Sequence, residues 1–452
     1  MTIRLPILAI ALAAGCGGGA RMEAVTAAVH DAVATAPAAA GRPVIQTDLR
    51  AFYDRRESAP AWVDDDGPTK LGGKALDAIR SAADHGLAPS AYGEPELGRT
   101  FETLKSEADE KDLPFADRAR ELARFEVRLT SALLTLGRDV AVGRANAEPG
   151  KKGGSRRAAP DVAGSLQRAV DSGDLDEWLT SIQPLHAGYA ALQKALATVR
   201  DDPAMTARIA ANLERWRALP DDLGARHFLV NIPEYRLYAR EQGRTALEMK
   251  VVVGKPGSRT PVFSDEMETV VFSPYWNIPD TIVTGETAPA VARDPRYLER
   301  QQIEIIRSSK DGVTRVDPSD VNWDDVTELK QLAFRQRPGA HNALGHVKFL
   351  FPNDFDVYLH DTPADDLFAR DGRAFSHGCV RVEVPEALAK YVLRDVPEWT
   401  DEAIRQAMHA GVEKHVKLAQ AIPVHLVYFT AAVDANGQLQ VFKDIYGLDA
   451  QR

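Results

Sequence analysis

The stretch Phe375-Ser376-His377-Gly378-Cys379-Val380-Arg381 contains one of only two cysteines in the sequence. The other cysteine, Cys16, ends an apolar leader, so Cys379 stands alone in the chain that we expect to be exported. A thiol with no partner in an oxidising compartment is a poor structural cross-link and a candidate nucleophile. Gly378 allows backbone N–H groups to converge at the sulfur, and His377 and Arg381 are near enough in sequence to favour the thiolate. The stretch therefore predicts acyl transfer by cysteine.

A second histidine lies upstream, in the stretch Tyr358-Leu359-His360-Asp361-Thr362-Pro363. A histidine base is normally oriented by a third group that accepts its other ring N–H. Asp361 can do this for His360 through its side chain or through its backbone carbonyl. Spacing alone does not decide whether His360 or His377 transfers the proton.

Length and composition indicate a soluble chain of more than one domain. The 452 residues exceed the usual domain size of about 100–200 residues. The net charge of −10, with no stripe of Lys and Arg, argues against nucleic acid as a partner. No metal-ligand spacing such as His-Glu-x-x-His is present, so we expect neither a metal nor another cofactor.

The N-terminus predicts export. Arg4, the apolar stretch 5–14 and Gly15-Cys16 are typical of a lipoprotein signal over residues 1–16, with lipid added to Cys16. The alternative is an ordinary cleaved signal without lipid. The apolar stretch is too short to cross a bilayer, which needs about 20 residues. Residues 17–45, rich in Ala, Gly and Pro, are expected to form a tether.

The rest of the chain predicts an α+β, multidomain fold. Residues 46–220 have helical periodicity, clearest at Leu122, Phe125, Leu129, Leu133 and Leu136. From 226 to 450 the period changes to two, which predicts a β-rich domain. The irregular segment at about 280–340 is typical of a lid inserted in an enzyme domain.

The sequence resembles the L,D-transpeptidases with a YkuD-type catalytic domain, and within them the large periplasmic, YcbB-like branch. The resemblance is carried by residues 334–339, 342–345, 347–349, 358–363 and 376–381, and extends to 49–53, 212–217 and 230–235. It covers nearly everything after the expected tether. It implies a helical scaffold domain, followed by a catalytic domain with a capping subdomain. Members of this branch usually carry a small peptidoglycan-binding module, for which this chain has no room between Leu196 and Ile209.

The same resemblance implies roles for individual residues. Cys379 would be the nucleophile, His360 the general base and acid, and Asp361 the group that orients it. His377 and Gly378 would surround the oxyanion. The residues that would contact the substrate are Arg381, Ser376, Tyr275 and Trp276.

The implied reaction is murein L,D-transpeptidation, in which a tetrapeptide donor loses D-alanine and a 3→3 cross-link forms. Partners would be peptidoglycan stem peptides, the membrane through the lipid on Cys16, and cell-wall synthesis proteins. Carbapenems would acylate Cys379. Two alternatives stay open: an L,D-carboxypeptidase, which uses water as the acceptor, and a non-catalytic scaffold protein that binds the cell wall.

Overall fold

The computed structural model describes residues 18–36, 43–107, 114–144, 157–309 and 312–450. The predicted signal 1–16 and Cys16 lie outside these residues. The described chain divides into two compact units. The first comprises the residues up to 144, residues 157–218 and the short segment 433–439, and the second comprises 219–432 and 440–450.

The first unit is helical, as the periodicity predicts. Its longest helix buries Leu122, Phe125, Leu129, Leu133 and Leu136, all at most 2% exposed, and forms the centre of the unit's core. The helices of this unit are α1 (Gly18–Thr35), α2 (Pro43–Arg55), α3 (Lys70–Arg80), α4 (Glu94–Ser106), α5 (Phe115–Val142), α6 (Val162–Ser172), α7 (Trp178–Ile182), α8 (Ala187–Thr198) and α9 (Pro203–Arg217).

The tether expected over 17–45 is wrong for the described residues 18–36 and 43–45. Residues 18–35 form α1, which packs against α5 and buries Val25, Val29 and Val33 in the core. Alanine is the strongest helix former, so an alanine-rich segment with a valine at every fourth position forms an amphipathic helix. The spacing of the valines, and not the alanine content, therefore decides the structure of this segment.

A connection of four residues joins α8 to α9. Asp202 begins α9 by accepting hydrogen bonds from the N–H groups of Ala204 and Met205, and Pro203 occupies the first turn. None of the helices in the described residues is both long and apolar enough to span a membrane.

The second unit contains a nine-stranded sheet in the order β11-β3-β12-β10-β9-β4-β13-β1-β2, which closes on itself because β2 also pairs with β3. Its strands are β1 (Arg226–Asn231), β2 (Arg236–Glu241), β3 (Arg244–Gly254), β4 (Phe263–Phe272), β9 (Val347–Leu350), β10 (Leu359–His360), β11 (Ala374–Ser376), β12 (Val380–Val382) and β13 (Lys414–Val427). Helices α14 (Pro385–Leu393) and α15 (Asp401–His409) contribute to the same core. Strands β14 (Ala431–Val433) and β15 (Leu439–Val441) form a separate pair.

Residues 276–336, here called the cap, form a smaller structure between β4 and β9. Its sheet has the order β5-β8-β6-β7, and it has a hydrophobic cluster of its own that includes Val283, Leu298 and Phe334. The strands are β5 (Trp276–Ile278), β6 (Ile303–Ser309), β7 (Gly312–Val316) and β8 (Ala333–Gln336), and the helices are α10 (Asp280–Ile282), α11 (Ala288–Arg293), α12 (Tyr297–Arg300) and α13 (Val326–Leu329). The α+β class predicted from the sequence, with a helical region before a β-rich region, is confirmed.

Candidate active site

The sulfur of Cys379 is carried by a tight turn between β11 and β12. Gly378 has a φ of 129°, which an L side chain rarely adopts. The Ser376 hydroxyl donates to the Cys379 carbonyl oxygen at 2.5 Å and accepts from the Gly378 N–H at 3.1 Å. On the other side, the Thr260 hydroxyl donates to the Gly378 carbonyl oxygen at 2.7 Å. These three hydrogen bonds fix the backbone on both sides of the nucleophile.

This turn engages one of the N–H groups expected around the oxyanion. The Gly378 N–H is already bonded to the Ser376 hydroxyl, so it is not a free donor in this structure. Ser376, whose contact with the substrate stays a prediction, is 2% exposed and holds the turn together.

The Cys379 thiol is surrounded by groups with opposing effects on its pKa. Burial raises the pKa, while the Tyr358 N–H and hydroxyl and the Arg381 guanidinium lower it, and the net shift is upward. The thiol donates to the Asp356 carbonyl oxygen at 3.6 Å. Of the two neighbours expected to favour the thiolate, Arg381 does lower the thiol pKa, but desolvation outweighs its effect.

His360 is buried in β10, with 4% of its surface exposed. Its Nδ1 lies 2.5 Å from the Asp361 backbone carbonyl oxygen. Because a carbonyl oxygen only accepts, Nδ1 carries the ring proton and Nε2 keeps a lone pair. Burial, with the positive charges of Arg381 and Lys348, lowers the His360 pKa to about 3. At neutral pH the ring is thus an uncharged proton acceptor.

The Asp361 carboxylate makes different contacts from the Asp361 backbone carbonyl. It accepts the N–H of His346 and the N–H of Thr362, both at 2.7 Å, and burial raises its pKa. Gly345 leaves room for it, since a β-carbon there would lie 2.3 Å from the carboxylate carbon. Of the two alternatives left open by the sequence, the structure shows that the backbone carbonyl contacts His360.

The second candidate base, His377, is turned toward the cap. Its Nε2 lies 2.8 Å from Glu286 Oε1 and 3.1 Å from Lys255 Nζ, and 37% of its side chain is exposed. Glu286 belongs to the cap, in a single turn of π-helix between α10 and α11. The structure therefore assigns the two histidines different surroundings: His360 is buried in the sheet, whereas His377 joins the nucleophile turn to the cap.

Strand register brings Arg381 beside His360. The two residues are directly paired across the parallel strands β10 and β12, and Cys379 lies two residues before Arg381. Burial lowers the Arg381 pKa, and its Nε is buried with no hydrogen-bond partner among the described residues. A buried guanidinium nitrogen without an acceptor is suited to bind an anionic group.

Tyr275 and Trp276 lie where the chain leaves β4 for the cap. Both are half-buried. The Tyr275 carbonyl oxygen accepts from Lys348 at 3.4 Å. The guanidinium of Arg335 lies over the Tyr275 ring, 4.4 Å from its centroid. Trp276 begins β5 and packs against the hydrophobic cluster of the cap. Tyr275 is thus next to the site, whereas Trp276 belongs to the packing of the cap.

Four residues of this region had no role assigned from the sequence: Tyr358, Lys348, Thr260 and Glu286. Tyr358 could have been found, because in an extended chain a residue two positions before His360 points to the same side. Its ring centroid lies 5.7 Å from that of His360. Thr260 and Glu286 are about 90 to 120 residues from their partners in sequence, with no local signal.

Comparison with known proteins agrees with this architecture. Residues 47–196 match a family model described as a scaffold domain, and residues 225–403 match the model of the L,D-transpeptidase catalytic domain, YkuD. The segment that contains Cys379 and His360 therefore matches the L,D-transpeptidase catalytic domain, YkuD.

Particular relatives give more distant likenesses. A putative L,D-transpeptidase of Haemophilus influenzae is 34% identical over 247 residues, which are 55% of this chain and 49% of that protein. The chain thus matches about half the length of this curated relative. An L,D-transpeptidase from Mycobacterium smegmatis is 12% identical over 45% of this chain and 58% of its own, with a TM-score of 0.22. L,D-transpeptidase 3 from Mycobacterium tuberculosis was solved with a faropenem-derived adduct. It is 13% identical over 45% of this chain and 60% of its own, with a TM-score of 0.20.

Proposed function

We propose that this protein is a murein L,D-transpeptidase that forms 3→3 cross-links through a thioester on Cys379. The donor is a tetrapeptide stem, and the bond that breaks joins its third residue, a diamino acid, to the terminal D-alanine. The acceptor is the side-chain amine of the diamino acid in a neighbouring stem.

In the first half-reaction, the Cys379 sulfur attacks the carbonyl carbon of the third residue and its proton passes to His360 Nε2. Because the raised pKa of the thiol favours its protonated form, attack and proton transfer are coupled. The Tyr358 hydroxyl and the Cys379 N–H are the proposed donors to the oxyanion. When the C–N bond breaks, His360 returns the proton to the amine of D-alanine, and a thioester remains.

In the second half-reaction, the acceptor amine attacks the thioester carbonyl and gives a proton to His360. The C–S bond breaks, the proton returns to the sulfur, and the new amide bond is the cross-link. The reaction needs no cofactor, because one amide bond is broken and another is formed, and the thioester conserves the free energy between the two steps.

The observation that carries this proposal is the strand register. Pairing of β10 with β12 holds a neutral histidine beside a partly unpaired arginine, two residues from the only described cysteine. A nucleophile, a proton carrier and an anion-binding group in adjacent strands are the requirements for acyl transfer on a carboxylate-bearing peptide.

Contact between the cap and the nucleophile turn favours transfer to an amine over hydrolysis. Glu286 reaches His377 from the cap, so the cap lies against the turn that carries Cys379. A cap in this position can restrict the access of water to the thioester. The L,D-carboxypeptidase alternative is the outcome expected if water still enters.

We further propose that the protein acts in the periplasm, held to a membrane by lipid on Cys16. A tethered enzyme would have a raised effective concentration at its polymer. A mass of the exported protein without diacylglycerol on Cys16 would remove this part of the proposal.

The decisive experiment incubates purified disaccharide-tetrapeptide with the protein from Gly18 onward and with its Cys379→Ala variant, followed by mass spectrometry. The chain begins at Gly18 because α1 is part of the core. Dimers joined 3→3 with the wild type alone would support the transpeptidase. Tripeptide without dimer would support the carboxypeptidase, and no change would favour a scaffold role.

A carbapenem provides a second test of the nucleophile. Opening of its β-lactam by Cys379 adds the full mass of the drug, and the proton of the thiol passes to the released nitrogen through His360. We expect one adduct per wild-type chain and none on Cys379→Ala.

A further inference from the structure

Lys348 lies beside the proposed proton carrier but has no assigned role. It is directly paired with His360 across the antiparallel strands β9 and β10, just as Arg381 is paired with His360 on the other side. Directly paired residues point to the same face of a sheet, at a spacing of about 4.8 Å between strands. Lys348, His360 and Arg381 therefore form a row across three strands of the site.

The ammonium group of Lys348 has little to hold it in this state. Its Nζ is 3.4 Å from the Tyr275 carbonyl oxygen and 5.9 Å from the centroid of the Tyr358 ring. Among the described residues, no carboxylate oxygen lies within 4.0 Å of it. The side chain is half-buried, and burial lowers its pKa more than the negative charge of Glu413 raises it. The nearest acidic group, Glu413, accepts from the Tyr275 N–H and attracts the ammonium only from a distance. A half-buried cation with no carboxylate in direct contact is stabilised by a ligand that supplies one.

The position of the sulfur indicates which part of the donor would meet Lys348. Cys379 adjoins β12, so the carbonyl carbon that it attacks lies on the β12 side of His360. In the proposed reaction the leaving nitrogen must face His360 to receive its proton, so the rest of the leaving group would continue toward β9. In D-alanine the carboxylate is separated from this nitrogen by one carbon, so it falls within reach of a cation one strand away.

We propose that Lys348 is a specificity-determining residue that binds the terminal carboxylate of the donor stem. This inference rests on the proposed transpeptidase function. Lys348 would select donors that end in a free D-amino acid over donors whose chain continues or is amidated. Arg381, on the other flank of His360, would then serve a different carboxylate of the stem peptide.

The test compares two donors, the tetrapeptide with a free C-terminus and the same tetrapeptide with a C-terminal carboxamide. Wild-type protein should prefer the free acid by about 10- to 100-fold in kcat/KM, the size of one charge-assisted hydrogen bond. Lys348→Met should remove most of this preference, chiefly through a higher KM for the acid. Lys348→Arg should restore part of it.

Lys417→Met is the matched control, because Lys417 is an exposed lysine in the strand β13. It should keep the wild-type preference. The rate of alkylation of Cys379 by iodoacetamide reports separately on whether the Lys348 variants are folded.

If Lys348→Met keeps the wild-type ratio between acid and amide, whatever its overall activity, the assignment is wrong. A merely structural role would lower both rates together and leave the ratio unchanged. If the wild type releases neither D-alanine nor its amide from the two donors, the proposed transpeptidase function is wrong. This result differs from one in which the wild type is active and only the role of Lys348 is wrong.

Discussion

The Asp361 backbone carbonyl oxygen lies 2.5 Å from His360 Nδ1. The imidazole is therefore oriented by a peptide group, whereas the carboxylate of Asp361 does not contact it. The carboxylate is occupied by the N–H groups of His346 and Thr362. Orientation of the ring therefore depends on the course of the backbone, and the charge of Asp361 has only an indirect effect on it.

Asp361→Asn should for this reason keep most of the activity. An amide oxygen can still accept one of the two N–H groups, while the amide nitrogen faces the other, which costs about 1–3 kcal/mol of stability. We expect a lower melting temperature and a kcat within about tenfold of wild type, since the His360 tautomer is kept. A kcat loss as large as that of His360→Gln would show that the carboxylate itself supports the base.

Substitution of the two histidines should separate chemistry from cap contact. His360→Gln removes the proton carrier and should lower the rate of cross-linking by about 10²- to 10⁴-fold. His377→Gln is the matched variant and should have a much smaller effect, because its ring contacts Glu286 and Lys255. Single-turnover formation of the thioester, followed by mass spectrometry, is the measurement. The reverse order of effects would reassign the base to His377.

The pH dependence of Cys379 alkylation follows from the upward shift of its pKa. A raised pKa favours the neutral thiol, so the thiolate fraction at pH 7 is small and increases as the pH rises toward and above the ordinary value. The rate with iodoacetamide should therefore increase steadily from pH 6 to 9 without a plateau, as for N-acetylcysteine measured alongside. Tyr358→Phe removes a donor that lowers the pKa and should slow alkylation further at each pH. A plateau already present at pH 6 would indicate a resting thiolate.

The contact between Glu286 and His377 should affect the choice between amine and water. Glu286→Gln weakens a partly exposed pair worth about 0.2–1 kcal/mol, so the ratio of tripeptide to cross-linked dimer should rise by up to about fivefold. Glu299→Gln, on an exposed position of the same cap, is the control. Faster hydrogen exchange over residues 283–291 in Glu286→Gln alone would link the ratio to opening of the cap. An unchanged ratio together with unchanged exchange would exclude this role.

The sequence predicted the parts of the site that lie close together along the chain. His360 and Cys379 are predicted because each lies in a short motif, and the alternation of Phe228 and Val230 predicts β1, which the structure contains. The contacts of Glu286 and Thr260 with the nucleophile turn depend on chain closure over long separations, which local patterns do not encode. The direction of the shift in the Cys379 pKa could not be inferred from the sequence either. It depends on whether the effect of burial exceeds that of the neighbouring charges.

Helix α1 gives the last test, because the sequence predicts a tether over residues that form this helix in the structure. Val29 is fully buried in the core of the helical unit. Val29→Asp places a carboxylate there without a partner, so we expect a loss of about 3–5 kcal/mol in the free energy of unfolding. Ala27→Asp, on an exposed position of the same helix, should cost under about 1 kcal/mol through helix propensity alone. Denaturant unfolding of both variants measures the difference. Equal losses would mean that α1 does not stabilise this unit in solution and that residues 18–35 act as the tether after all.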